Sequence, residues 1–224
     1  MDGLKATFGS GVLGVLAFLS HAAAGHAEEC AKLGATENFN SIVYCASSAL
    51  PQSGKNTYGP ENLFDASRST AWCESVRGSG GKQVLTLRID KGGPFRRILI
   101  ESGYQKSGAT FRQNARPKTL EITADKGLRF RKILKDSDGE QFIELPEPRE
   151  YQFVGISVLD VYTGSRYQDI CISTLLADFD YEKFLEYERG RVAPEAKRPG
   201  TNTRPNAPQK PVPQLETLPD LPKL

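Results

Sequence analysis

Between residues 41 and 179 apolar and polar positions alternate with a period of two, broken at intervals by turn-forming residues. In Val84-Leu85-Thr86-Leu87-Arg88-Ile89, the residues Leu85, Leu87 and Ile89 alternate with Val84, Thr86 and Arg88. That spacing gives a strand one apolar and one mostly polar face. Leu120 and Ile122 alternate with Thr119, Glu121 and Thr123 in the same way. Residues 95–101, 128–134, 141–145, 153–160 and 170–176 read as further strands. Gly92-Gly93-Pro94, Asp125-Lys126-Gly127 and Asp136-Ser137-Asp138-Gly139 separate them as turns. About eight short strands with no intervening helical pattern predict an all-β antiparallel sandwich. Alternation says nothing about strand order.

The periodicity changes at both ends of this body. Asp178 or Asp180 can cap a helix from Tyr181 to Arg189, with Gly190 as its stop. On it Tyr181, Phe184, Leu185 and Glu188 share a face, so three apolar side chains are expected to dock on the sandwich. Eight prolines from Pro194 to Pro222 then stand among polar residues, which predicts a disordered tail open to a protein partner. At the start, Lys5 precedes the apolar run 12–19 and the small residues ending Gly25-His26-Ala27, the order of a signal peptide. Cleavage is expected after Ala27, with Ala24 as the competitor. The run is too short to span a bilayer, and no later stretch is long enough. Glu28 and Glu29 stand before Cys30 where a lipid-anchored chain would need small residues. The expected organisation is signal peptide 1–27, lead-in 28–40, sandwich 41–179, helix 180–191 and tail 192–224, in a protein exported to the periplasm or beyond.

Composition narrows the chemistry. A net charge of +2 gives no footprint for nucleic acid. Cys30, Cys45, Cys73 and Cys171 fit no zinc spacing and read as two disulfides, with three pairings open. The two histidines, His21 and His26, both fall in the signal segment, so the mature chain has none for Ser-His-Asp, Cys-His or histidine-metal schemes. Two polar segments are longer than turns require. One, 102–118, carries Tyr104, Lys106, Arg112, Asn114 and Arg116; the other, 162–169, carries Tyr162, Arg166, Tyr167 and Asp169. Aromatic faces suit the C–H patches of a pyranose, while Arg, Asn and Asp supply paired donors and acceptors for its hydroxyls. Each has a structural alternative: Asn114 holding a turn, Asp169 neutralising Arg116, Tyr162 ending a strand. Trp72, next to Cys73, reads as core. The basic run 126–135 reads as a protected strand edge or as a surface for acidic glycans.

Several motifs resemble a known family. Tyr58-Gly59-Pro60-Glu61-Asn62-Leu63-Phe64-Asp65, then Thr70-Ala71-Trp72-Cys73, are answered downstream by Asp169-Ile170-Cys171-Ile172-Ser173. Together they resemble the discoidin-like (coagulation-factor type C, galactose-binding-like) domains. Gly103-Tyr104-Gln105-Lys106-Ser107, Asn114-Ala115-Arg116-Pro117-Lys118 and Asp160-Val161-Tyr162-Thr163-Gly164-Ser165-Arg166-Tyr167 look like the subgroup named for the translocation, glycan-binding domain of bacterial NAD-glycohydrolase toxins. The resemblance implies a jelly-roll topology and a binding module for a glycan or cell-envelope component, with no catalysis and no cofactor. It also implies a Cys73–Cys171 disulfide, and with it Cys30–Cys45. Many such domains hold calcium through the Asp matched here by Asp65. Thr174 stands where a ligating Glu would be and Ala66 where Gly is usual, so no tight metal site is expected. The alternatives are an accessory or translocation component of a toxin system, or a structural envelope protein displaying its tail.

Overall fold

The computed structural model describes residues 28–76 and 83–192, with side chains through 189; the expected signal peptide and proline-rich tail lie outside the described residues. The strands are β1 (Glu29–Leu33), β2 (Ser41–Ala46), β3 (Trp72–Cys73), β4 (Val84–Asp90), β5 (Phe95–Ser102), β6 (Arg116–Ala124), β7 (Leu128–Ile133), β8 (Gln141–Arg149), β9 (Phe153–Tyr162) and β10 (Cys171–Asp178). Helix α1 (Gly108–Gln113) interrupts them and α2 (Asp180–Val192) follows. Two antiparallel sheets form, ordered β1-β2-β4-β9-β6-β7 and β3-β10-β5-β8. The all-β jelly-roll sandwich expected from the sequence is the fold.

The alternation explains the core. Leu85, Leu87 and Ile89 meet Ala46, Tyr44 and Ile42 on one side, and Leu85 and Leu87 meet Ile156 and Val154 on the other. Ile98, Ile100, Ile143 and Leu175 of the smaller sheet face them, all fully buried. Trp72 fills the space beneath the loops, and its indole N–H donates to the Ser48 carbonyl at 2.9 Å.

Three elements differ from the sequence reading. The polar lead-in contributes β1, whose side chains are mostly exposed, because Cys30 sits directly opposite Cys45 and is bonded to it. Cys73 is likewise opposite Cys171, and those two form the second disulfide. Helix α1 lies within the segment read as loop. Its apolar residues show no helical period, and the turn is held by a capping box between Ser107 and Thr110. Finally, the first turn of α2 docks through Tyr181 as expected, but with Glu182 rather than Phe184 beside it. Tyr181 stacks on Arg97, 3.7 Å from ring centroid to guanidinium carbon, and Glu182 pairs with Arg96 at 2.9 Å, while Phe184 is 56% exposed. Strand β5 presents Arg96 and Arg97 to the helix, so the first helical turn is held by charge and ring contacts. Residues through Phe184 form one compact unit and those from Leu185 another, of which the helical stretch to Val192 is described.

Candidate functional site

At one end of the sandwich the chain leaving β5 forms Gly103, Tyr104 and α1 before entering β6, and the chain leaving β9 returns through 163–169 to β10. Backbone bonds clamp the two segments together. The N–H of Ser165 donates to the Arg112 carbonyl at 3.0 Å, and those of Arg166 and Tyr167 to the Gln113 carbonyl at 3.1 and 2.8 Å. The N–H of Ala115 donates to the Asp169 carbonyl at 3.1 Å. Gly164 makes this approach possible, since a Cβ there would overlap the backbone of Gln113, Asn114 and Tyr167. Gly103 plays a similar part at φ +83°, with a Cβ position 2.8 Å from the Arg116 stem.

Between these segments and residues 50–58 lies an open pocket of about 370 Å³, within the range of small-ligand sites. It is lined by Leu50, Asn56, Tyr58, Cys73, Tyr104, Lys106, Thr110, Gln113, Asn114, Tyr167 and Asp169. Five of the nine residues expected from sequence therefore meet here: Tyr104, Lys106, Asn114, Tyr167 and Asp169. Tyr104 is buried, and its hydroxyl donates to the Ser69 carbonyl at 3.0 Å, which leaves the ring as a wall. Burial raises its phenol pKa, and neighbouring Tyr58 adds to the rise. Asn114 donates its side-chain N–H to the Thr110 carbonyl at 2.9 Å, ending α1 and keeping its own amide oxygen as an acceptor. The side chains of Asn56, Lys106, Gln113 and Asp169 make no hydrogen bond among the described residues. The pocket thus offers a cation, a carboxylate, amide groups and three tyrosine rings.

The other four expected residues do not line it. Arg116 is buried and forked onto Asp136, Nε to Oδ1 at 2.7 Å and Nη2 to Oδ2 at 3.0 Å, and its Nη1 donates to the carbonyls of Phe111 and Asn114. Asp169 is therefore not its counter-ion. The Tyr162 hydroxyl donates to the Leu134 carbonyl at 2.9 Å. Arg112 is exposed on α1 outside the pocket, and exposed Arg166 lies over the Tyr167 ring at 5.1 Å. Sequence reasoning missed a third wall, Leu50, Asn56 and Tyr58, where an apolar residue, an amide and an aromatic in a turn-rich stretch were the available signal. Thr110 and Gln113 fell within the loop considered but carried no chemistry distinct enough to single out.

Behind the pocket Glu74 is fully buried, accepting from the N–H groups of Val76 at 2.5 Å and Ile170 at 3.4 Å. Desolvation raises its carboxyl pKa, these two bonds oppose the rise, and Asp169 nearby adds to it. Asp65, the position matched to the calcium-ligating Asp of such domains, accepts from the Ser67 N–H at 2.9 Å and the Thr70 hydroxyl at 2.6 Å. Ala66 beside it has φ +57°, a conformation suited to the glycine usual there. Thr174 and the Arg68 guanidinium both donate to Glu101, so that carboxylate is occupied by protein donors.

Two packed antiparallel sheets with a pocket between the loops at one end define a jelly-roll β-sandwich. The chain belongs to the NAD glycohydrolase translocation F5/8 type C domain family, which matches residues 37–178. Among solved structures it is similar to the family 32 carbohydrate-binding module of Clostridium perfringens NanJ in complex with galactose, at 18% identity and a TM-score of 0.45 over 60% of this chain and 90% of that one. It is also similar to a family 32 module of a Clostridium perfringens GH89 protein with GalNAc-β-1,3-galactose, at 15% identity and 0.47 over 60% and 92%. The family 32 module of Streptococcus pneumoniae EndoD stands at 12% identity and 0.44 over 58% and 90%. No curated protein matches the chain.

Proposed function

We propose that the protein is a non-catalytic recognition module that binds a glycan of a cell surface or envelope in the loop pocket. The observation that supports this reading most is the composition of one small pocket: Tyr58, Tyr104 and Tyr167 with Asn56, Lys106, Gln113, Asn114 and Asp169. Aromatic rings cover the apolar patches of a pyranose, and amides beside a carboxylate match its adjacent hydroxyls. Two disulfides accord with export, for which residues 1–27 would be the signal peptide. Among the described residues no helix is long and apolar enough to cross a membrane.

Single sugar sites of this size bind weakly, so dissociation constants on the order of millimolar to micromolar are expected. Screening mono- and disaccharides by titration calorimetry should find a binder. Asp169→Asn and Tyr167→Ala should each weaken it about tenfold without lowering the melting temperature by more than a few degrees. A folded protein that binds no sugar on a broad glycan array would overturn the reading. The family description favours a second one, in which the same pocket engages a component of a translocation system. Glycan binding that persists undiminished in the pocket variants, alongside loss of translocation, would select it.

A further inference from the structure

The outer face of the smaller sheet carries a feature that the loop pocket does not use. Leu176 pairs with Leu99 and Leu99 with Phe142, so three apolar side chains stand in a row across three strands. Their strand neighbours Leu175, Ile98, Ile100 and Ile143 are fully buried, which places this row on the face turned away from the core. Such a face is ordinarily polar. Here the row floors a groove of about 580 Å³, walled by residues 36–39, Glu140 and 177–180.

The rim is acidic. Glu37, Glu140, Asp178 and Asp180 border the groove. Arg97 is committed to Asp178 through Nε at 2.8 Å and Nη2 at 2.7 Å, with its guanidinium packed between the rings of Phe142 and Tyr181. Lys183 is shared between Glu37 at 3.3 Å and Asp180 at 3.6 Å. Negative charge therefore exceeds positive around an apolar floor.

The complementary surface stands on the same chain. Strand β7 is an edge of the larger sheet, and Arg129, Arg131 and Ile133 are exposed on one face of it. Ile133, at 68%, is the most exposed large apolar residue among those described. Arg129 reaches Glu121 at 3.4 Å, whereas Arg131 forms no ion pair among the described residues. An apolar side chain flanked by cations matches an apolar row flanked by carboxylates.

We propose that the groove docks the β7 edge of a second copy of this chain, with Ile133 on the Leu99–Phe142–Leu176 row and Arg129 and Arg131 against the rim carboxylates. The contact joins two different surfaces, so it is head-to-tail and leads to a ring or a short chain. It is small and charge-dependent, hence weak and sensitive to salt. Linked copies would present several loop pockets together, which multiplies the avidity of weak sites. The association does not depend on what those pockets bind.

Sedimentation velocity on the purified full chain, up to about 300 µM, tests this in about 20 mM and about 500 mM salt, a range over which exposed charges go from weakly to strongly screened. The weight-average mass should rise with concentration at low salt and fall back to the monomer at high salt. The pairs Glu37→Lys with Glu140→Lys and Arg129→Glu with Arg131→Glu should each stay monomeric alone and associate again when mixed in equal amounts. Ile133→Ser, which leaves every charge in place, should lose association even at low salt. A wild-type chain that remains monomeric throughout overturns the proposal. So does a mixture of the two folded charge variants that stays monomeric. Loss of association in the β7 variant but not in the groove variant would show strand edges pairing with each other, and would overturn it as well.

Discussion

Arg116 reads from the sequence as a ligand residue, and the structure makes it a brace. Replacing it with methionine keeps much of the stem and removes the guanidinium. Four hydrogen bonds vanish: two to Asp136 at 2.7 and 3.0 Å, and two to the carbonyls of Phe111 and Asn114 at 3.1 and 2.9 Å. Removing one partner of a fully buried ion pair costs about 3–5 kcal/mol. Asp136 is 40% exposed and rehydrates, which lowers that part, while the two carbonyls lose partners that water replaces poorly. The sum is about 3 kcal/mol, a melting-temperature drop of roughly 6–12 °C for a domain of this size. Denaturant unfolding of Arg116→Met, Asp136→Asn and the double variant measures it. Asp136→Asn alone should cost about 1 kcal/mol, since its neutral amide still accepts one bond. Sugar affinity, measured well below the melting point, should change only a few-fold, because the guanidinium does not line the pocket. A stability loss under about 1 kcal/mol together with abolished binding would refute this reasoning and return Arg116 to the ligand.

Glu74 should make stability depend on pH. Burial raises its carboxyl above the ordinary 4.5, so the native state holds the proton more tightly than the unfolded chain. Its support is complete below that value and is lost as pH rises through the folded pKa. Glu74→Gln should therefore gain on the wild type as pH rises above 4.5 in a series of thermal melts, and a constant difference would show that the carboxylate is not desolvated. The hydroxyl of Tyr44 is buried with no partner among the described residues, so Tyr44→Phe should be neutral or stabilising by about 1 kcal/mol in chemical denaturation. A clear loss would reveal a hidden partner. The Cys73–Cys171 bond closes a separation of 98 residues, and replacing both cysteines by alanine should cost about 4–5 kcal/mol in the chain-entropy account. Since Cys73 also lines the pocket, the same variant should weaken sugar binding, which calorimetry would show.

The strands were legible because period two is a local signal. Leu85, Leu87 and Ile89 announce a strand wherever their partners lie, and the family motifs added the topology that alternation cannot carry. The same holds for Trp72, whose place beside Cys73 marked it as core. The residue chemistry of the loops was also legible, since Tyr104, Lys106, Asn114, Tyr167 and Asp169 do meet in one pocket.

Pairing across distance was not legible. Arg116 and Tyr162 have the chemistry of sugar ligands, yet which donor meets sugar and which meets a carbonyl depends on where Asp136 and Leu134 end up. Strand β1 is too polar to show its period and exists as a strand because it lies opposite β2. Tyr58 and Asn56 became a wall of the pocket only when backbone bonds of Leu50 and Tyr58 with Cys73 tied the stretch after β2 to β3, beside β10. Amino-acid type fixes what a side chain can do and its local period fixes which way it points. Its partners are set by contacts far apart in the chain, which only the packed sheets bring within bonding distance.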